Sequence, residues 1–482
     1  MTQVDDAISR IPEIQRKARN ARNSLAPINK LPPETLTLVA EFFEYRRQLL
    51  NATAVCQYWR ATLLSFPRLW NTIRCSRQIQ FEAYLERSKS VLLDVELYNL
   101  FPRLFESLLP HTSRLAALTV QVSNSSDFGR IALHLQSPIP TLHKFTIISS
   151  GSDTLEPPSG IDYSTHVKEL ELEDISSFRA PRAFPHVTKL TWHVGPEHGA
   201  PVQLPGLLET LEQFPVLEEV DLIFRESRDT TTGTFLRAVT LPHVQRMSLH
   251  CSKDRKMGIP RILQFLKLPK LTSLLVYTEP KFASPFPALP ITSFGEHLPN
   301  LAEFPEMEVY TNIRIGRVCF RSPSQAMLDY WVIAQSLGEA TYHHHRRLWG
   351  GLPLHSVRRL TATVNVWAEG VEEVWPVRLL RELGSLEHLE LEGYCGFALR
   401  RLRRLMLRRS ILIGTKTLTV CSGTYDICQA TRLRDVADDL GLGIVVTCTP
   451  APDMLDTDEW PSDGGSEDWD LGADYEDEDG EQ

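Results

Sequence analysis

The sequence predicts an α/β protein in three parts. A small helical unit lies near the N-terminus, an irregular solenoid with a parallel sheet and outer helices follows, and a disordered acidic tail ends the chain. Three observations carry this reading. Residues 29–75 hold three short stretches of apolar residues at helical spacing. From residue 91 a pattern of the form apolar-x-x-apolar-x-apolar recurs to about residue 449. The stretch from Asp453 to Gln482 carries 14 Asp or Glu and no Lys or Arg.

Residues 1–28 form a lead-in whose "IQRKARNARNSL" is basic and helical in composition. In the unit at 29–75, Pro33 suits the first turn of a helix, where its missing N–H has no partner to lose. Leu36, Val39, Ala40 and Phe43 then fall at i, i+3, i+4 and i+7, one helical face. After the charged break "EYRRQ", which reads as a loop, Leu49, Ala52, Thr53 and Cys56 repeat the spacing, followed by Trp59. The segment "RATLLSFPRLWNTI" adds Leu63, Phe66, Leu69, Trp70 and Ile73. Three short helices make too small a core to stand alone, so this unit should lean on a neighbour or a partner.

Eleven stretches follow the strand pattern: "LLDVEL" (92–97), "LAALTV" (115–120), "LHKFTI" (142–147), "VKELEL" (167–172), "VTKLTW" (187–192), "LEEVDL" (217–222), "VQRMSL" (244–249), "LTSLLV" (271–276), "VRRLTA" (357–362), "LEHLEL" (386–391) and "TKTLTV" (415–420). Helical segments precede several of them, as in "LPGLLETLEQF", "IPRILQFLKL" and "VRLLREL". A strand and a helix every 20 to 30 residues is the signature of leucine-rich repeats. The register is loose, and the asparagine usual after such a strand is absent. Between about 278 and 356 the period is lost, with "RIGRVCF" (314–320) as one degraded unit. The competing reading is an ordinary α/β domain whose strands begin alike.

Within each strand the two apolar residues face the core and the residues between them face outward, onto the concave side of a repeat sheet. That side would carry Glu169, Glu171, Glu173, Glu219, Asp221, Arg246, Tyr277, Arg359 and Glu390 as substrate-binding candidates, with Lys189, His250 and Glu392 beside them. A mixed, locally acidic face suits a protein partner better than nucleic acid. Each of these residues, taken singly, also reads as a solvated surface position.

Composition excludes several classes. The formal net charge of −9 is a property of the tail; residues 1–452 hold 46 acidic and 51 basic residues. With no apolar period, "EDWDLGADYEDEDGEQ" has nothing to bury against the entropy of ordering it. No run of apolar residues is long enough to span a membrane, and the N-terminus lacks the apolar core of a secretory signal. Eight cysteines are scattered without a C-x-x-C pair, which indicates reduced thiols in the cytosol or nucleus and no zinc module. Phosphate-binding, dinucleotide, zinc-protease and nucleophile-elbow motifs are absent, and no cofactor is expected. His343 to His345 read as a solvated loop rather than a metal site, since adjacent histidines fix no coordination geometry. In "LRRLRRLMLRRS" (399–410), Leu402, Leu405, Met406 and Arg409 keep helical spacing, giving a repeat helix with a basic outer face. A phosphate-recognising patch, a nuclear import signal and a dock for the acidic tail compete with that reading.

The first unit resembles an F-box. The residues that carry the resemblance are "LPPE" (Leu31 to Glu34), Leu36, Val39, Leu49–Leu50, Val55–Cys56, Trp59–Arg60 and "PRLW" (Pro67 to Trp70), in the family's order over about 45 residues. "PINKLPPE" and the later "YLERSKSVLLDVEL" look like the fungal form, which continues into degenerate leucine-rich repeats. The resemblance implies a non-catalytic substrate receptor of an SCF-type cullin–RING ubiquitin ligase. Its F-box would dock on a Skp-type adaptor, and through it a cullin, while the repeats hold a protein substrate. By that resemblance Leu31, Pro32, Glu34, Leu36, Val39, Leu49, Leu50, Val55, Cys56, Trp59 and Trp70 contact the adaptor or support the helices that do; Trp59 and Trp70 also read as core packing. The alternatives are a repeat scaffold that does not lead to ubiquitination, and a hydrolase or transferase with its site in 278–356.

Overall fold

The computed structural model describes residues 2–43, 45–74, 77–98, 101–134, 139–150, 166–175, 178, 184–194, 204–224, 237–252, 259–279, 298–299, 306–311, 315–321, 327–333, 354–364, 379–380, 383–393, 399, 402–403, 406, 415–422 and 424–450. The acidic tail, His343 to His345 and most of the 399–410 arginine cluster lie outside these residues.

Helix α1 (Thr2–Leu25) leads through a 3-10 turn at Pro27–Lys30 into α2 (Pro33–Glu41), α3 (Arg46–Thr53) and α4 (Gln57–Ser65). Pro33 stands at the start of α2 as its chemistry favours. The buried face of α2 is rotated from the one expected. Leu36, Thr37 and Ala40 are buried, Phe43 is half-buried, and Val39 is exposed. Thr37 and Val39 lie on opposite flanks of the Leu36–Ala40 line, and Thr37 tolerates burial because its Oγ1 donates to Glu34 O at 2.7 Å. The expected loop "EYRRQ" is also partly helix: Arg46, Arg47 and Gln48 form the first turn of α3, where Gln48 Oε1 accepts from the Tyr45 N–H at 3.3 Å.

A second 3-10 turn, Pro67–Trp70, runs directly into β1 (Thr72–Arg74), followed by α5 (Gln78–Arg87), β2 (Leu93–Leu97), α6 (Phe101–Leu108), β3 (Leu115–Val122) and α7 (Ser125–His134). Then come β4 (Lys144–Ser149), β5 (Glu169–Ile175), β6 (Lys189–Val194), α8 (Leu204–Glu212) and β7 (Glu219–Phe224). After β8 (Val239–Thr240) lie β9 (Arg246–Ser252), α9 (Ile259–Gln264), β10 (Leu266–Lys267) and β11 (Ser273–Glu279). The chain continues with β12 (Glu306–Thr311), β13 (Ile315–Arg321), β14 (Met327–Ile333), β15 (Arg359–Val364), β16 (His388–Gly393), β17 (Thr417–Ser422), α10 (Thr424–Asp439) and β18 (Val445–Pro450).

The result is an α/β fold built on one large, mainly parallel sheet flanked by helices. Its sixteen strands run in the order β1-β2-β3-β4-β5-β6-β7-β9-β11-β14-β13-β12-β15-β16-β17-β18, while β8 and β10 form a separate parallel pair. All eleven stretches of the repeating pattern supply strands of the large sheet. Because β1 pairs with β2, the N-terminal helical unit is continuous with the sheet rather than separate from it. Parallel strands are buried on the side the helices cover, and the alternation seen in β7, half-buried then buried in turn, marks one core face and one open face.

In six of the eleven stretches the leading apolar residue has a defined role. It closes a tight turn just before the strand, in which its N–H reaches the carbonyl three residues back: Leu142 to Ile139, Val187 to Phe184, Leu217 to Phe214, Leu271 to Leu268, Val357 to Leu354 and Leu386 to Leu383. Both apolar ends of every one of these turns are buried. The second turn residue is proline in four of the six, Pro140, Pro185, Pro215 and Pro269, where a fixed φ suits it. The two residues after the turn then share one acceptor in the preceding strand entry. Lys168 O, for instance, accepts from Thr188 N at 2.9 Å and Lys189 N at 3.0 Å, and Glu218 O accepts from Gln245 N and Arg246 N at 2.8 and 3.1 Å.

Gly384 occupies the proline position of the turn Leu383 to Leu386, and a Cβ there would meet nothing within 4 Å. Gly384→Pro is therefore expected to stabilise the protein by about 0.4–1 kcal/mol, through reduced freedom of the unfolded chain. A rise in the denaturation midpoint checks this; a fall would show that the turn differs from its proline-bearing counterparts.

The stretch 278–356 departs from the expectation. "RIGRVCF" is no degraded parallel unit: β13 runs antiparallel to both β12 and β14, forming a three-strand meander inside the sheet. β14 then pairs in parallel with β11, and β12 with β15. The segment "IPRILQFLKL" also ends its helix early, at Gln264, and gives Leu266–Lys267 to β10.

Candidate functional site

Two surfaces concentrate the residues that sequence reasoning singled out. On the N-terminal unit the eleven candidates divide by burial. Leu36, Leu49, Trp59 and Trp70 are core residues, Trp70 with no exposed surface. Leu31 and Cys56 are half-buried, while Pro32, Glu34, Val39, Leu50 and Val55 face solvent. Trp59 Nε1 donates to Asn29 Oδ1 at 2.6 Å and Tyr58 Oη to Leu31 O at 2.5 Å, which ties the segment before α2 onto α4. Trp70 Nε1 donates to Leu63 O at 2.9 Å, its ring stacks on Tyr84 of α5 at 5.3 Å, and Arg87 lies 4.7 Å from its centroid. Arg46 binds Leu69 O at 2.6 Å and sits 5.4 Å from the Tyr84 ring centroid.

This packing accounts for how so small a unit holds together: α5 and the first strand supply the missing core. It leaves an unusual remainder, however. Phe42 is 85% exposed, Leu38 and Val55 are each 56% exposed, and Val39, Tyr45 and Leu50 are exposed as well. Leu38, Phe42 and Tyr45 were missed in the sequence, although Leu38 adjoins the selected Val39. The signal was the apolar surplus of "LTLVAEFF", which exceeds what one helical face can bury.

The second surface is the open face of the sheet. Between β5 and β11 it carries Glu169, Glu171, Glu173, Glu219, Asp221, Arg246 and Tyr277; Arg359 and Glu390 lie beyond the meander on β15 and β16. Opposite charges sit on neighbouring strands. Arg246 pairs with Glu219, Lys144 Nζ with Glu171 Oε2 at 3.0 Å, and Arg359 Nη1 with Glu306 Oε1 at 3.7 Å. Thr146 Oγ1 also donates to Glu171 Oε2, at 3.1 Å, and Thr361 Oγ1 and Cys421 Sγ donate to Glu390 at 3.4 and 3.7 Å. The His250 and Tyr277 rings lie 5.5 Å apart.

The electrostatics focus on β5, β6 and β7. Burial pushes the Asp221 carboxyl above its ordinary range, although His250, His193 and Lys189 all pull it down. Its Oδ1 is shielded from solvent and accepts no hydrogen bond among the described residues; His250 Nε2 stands 3.7 Å away. The Lys144 ammonium is held above its usual range. Burial works against that charge, and the hydrogen bond and charge of Glu171 outweigh it. The register places Glu173 opposite His193, and the ligand atoms of Glu171, Glu173 and His193 all lie within 4.8 Å of one another. His193 was not selected from the sequence, yet the two-residue alternation that exposes Glu173 exposes His193 on the next strand.

Among the described residues no helix is long and apolar enough to cross a membrane. Compared with known proteins, the chain matches no family model and no curated protein.

Proposed function

We propose that the chain is a non-catalytic substrate receptor of an SCF-type cullin–RING ubiquitin ligase. The N-terminal unit acts as an F-box that docks on a Skp-type adaptor, and the sheet, as a degenerate leucine-rich-repeat domain, presents its open face to a protein substrate. The observation that carries this reading is the division of labour in residues 31–70: the aromatic and leucine residues that hold the unit are buried, and an apolar set is left outside. Exposed aliphatic and aromatic side chains concentrated on one short helical unit mark a docking surface. The Leu-Pro-Pro-Glu opening at 31–34 stands on the same unit.

The open face supports the substrate half of the reading by its mixture of paired charges, half-buried aromatics and hydroxyls over many strands, which fits a folded or extended polypeptide. The acidic tail read at 450–482 belongs to the same proposal.

Leu31→Ala with Pro32→Ala is expected to abolish capture of a Skp-type adaptor while the sheet stays folded, and Phe42→Ser with Val55→Ser to weaken it at least ~10-fold. Pull-down of adaptor and cullin by the full chain, with circular dichroism of each variant, reads this out; unchanged capture would overturn the site. Deleting 29–75 stabilises substrates if the complex ubiquitinates them. It leaves their turnover unaltered if the protein is instead a scaffold.

A further inference from the structure

We propose that helix α1 pairs with α1 of a second copy of this chain, in antiparallel orientation, as a short two-stranded coiled coil. The 24 residues of Thr2–Leu25 make a rod about 36 Å long. Along it Val4, Ala7, Ile11, Ile14, Ala18, Ala21 and Leu25 follow one another at alternating steps of three and four residues. That spacing draws one seam along a helix, the a and d positions of a heptad repeat. The seam is uncovered. Every described side chain from Arg10 to Arg22 is exposed, Ile11 at 47% and Ile14 at 63%, and Leu25 reaches 74%. Pro12 falls off the seam, and the helix runs on through it. Helices gain most of their stability by burying an apolar face, and α1 has one with nothing of its own fold upon it.

Side-chain size selects both the partner and its direction. When two such helices run antiparallel with Ile14 opposite the partner's Ala18, Ile11 falls opposite the partner's Ala21 and Ala7 opposite the partner's Leu25. Each alanine then meets a large aliphatic side chain, and the layers interdigitate. Parallel pairing in register would stack alanine on alanine at 7, 18 and 21 and leave gaps. Charge points the same way. The flanks of the seam carry Arg10 and Lys17 on one side and Ile8, Gln15 and Arg22 on the other. Parallel pairing sets Lys17 against the partner's Arg22 on both sides of the dimer, and like charges there oppose association. Antiparallel pairing brings Arg10 to the partner's Ser24 and lays the stem of Arg22 over the partner's Ile8. Only the two Lys17 side chains meet, and each is bound to Glu13 of its own helix at 3.0 Å.

The same residues turn away other occupants. A membrane surface favours helices with Trp, Phe and Leu on the apolar side, whereas this seam holds three alanines and no aromatic residue. The acidic tail complements the basic flanks in charge, yet Pro461 and the glycines at 464, 465, 472 and 480 give it no helical seam to match. A dimer through α1 carries two open sheet faces in one assembly, so a partner with two binding segments would be held by both. The pairing goes beyond the docking proposal and does not depend on it, since α1 ends before the Leu-Pro-Pro-Glu opening at 31–34.

The experiment is analytical ultracentrifugation of the full chain up to about 100 μM, a concentration at which even a small specific interface associates. A concentration-dependent monomer–dimer equilibrium is expected. Ile11→Glu with Ile14→Glu should weaken it by ~100-fold or more, because pairing would then bury unpaired carboxylates. The melting of the sheet by circular dichroism and the capture of a Skp-type adaptor should both stay as in the wild type. Arg22→Glu separates the two directions. It should weaken an antiparallel dimer about 3-fold or more, by removing the stem over Ile8 and placing an acid in the last helical turn. In a parallel dimer it would pair with Lys17 and tighten association. A wild-type chain that stays monomeric overturns the proposal, and its sedimentation with phosphatidylserine vesicles would identify a membrane face instead. A dimer that survives the double variant, one that is lost on deleting 453–482, or one that Arg22→Glu tightens would each overturn it too. So would loss of adaptor capture in the double variant, which would make the adaptor the occupant of the seam.

Discussion

Trp70→Ala is expected to cost about 3–5 kcal/mol, the range for deleting a fully buried large aromatic side chain. Trp70 has no exposed surface, and its ring joins the N-terminal helices to α5 through Tyr84 and Arg87. The cavity would open at the junction, where the chain turns from the 3-10 segment into β1. Removing the indole also takes one of two donors from the Leu63 carbonyl, which accepts from Nε1 at 2.9 Å and from the Phe66 N–H at 3.4 Å. Trp70→Phe keeps most of the stacking and loses one donor to a carbonyl that retains the Phe66 N–H, so it should cost about 0.5–1.5 kcal/mol. Hydrogen exchange provides the sharper readout. In a stack where each strand contacts mainly its neighbours, protection should fall across α2–α5, β1 and β2 and persist in β15–β17. Equal loss at both ends would show that the sheet unfolds as a single unit.

Trp192→Ala is expected to cost a similar ~3–5 kcal/mol, for a different reason. Trp192 is also fully buried, but it lies in the middle of β6 and its Nε1 satisfies the carbonyl of Ile175 just past the β5 bulge. Alanine leaves both a void and an unsatisfied carbonyl in the core. Trp192→Phe separates the two effects: the void shrinks, and the remaining loss, about 1–3 kcal/mol, reports the hydrogen bond. Denaturant titration measures both. If Trp192→Phe costs nothing, the carbonyl finds another donor and the bulge is not held by the indole.

The strands were legible because each carries its own local code. In "VTKLTW", Val187 closes the turn, Leu190 and Trp192 fill the core, and Lys189 and Thr191 face out. The meander escaped because antiparallel strands within a parallel array follow no repeat period. Helix α2 was read with the right residues and the wrong rotation. Periodicity alone places Val39 and Thr37 equally far from the buried line; Thr37 is the one that is buried, with its hydroxyl satisfied by Glu34 O. The face residues Glu171 and Glu173 were legible singly. Their convergence with His193 was not, since it depends on strand register and on a bulge at Asp174 that no residue pattern announces.

The meander has a consequence for synthesis. β11 is complete at Glu279, but the strand that covers its free edge, β14, ends only at Ile333, after β12 and β13 have been laid down further along the sheet. At ordinary translation speeds of about 5–20 residues per second, the growing chain therefore presents an unsealed edge for roughly 3–10 s. The first half of the sheet must hold its shape during that interval. The second half, beginning at β15, pairs with β12 rather than β11 and so grows from the meander, not from the repeats made first. The nascent protein thus pauses at one point, with an adhesive edge open between two arrays that otherwise assemble strand by strand.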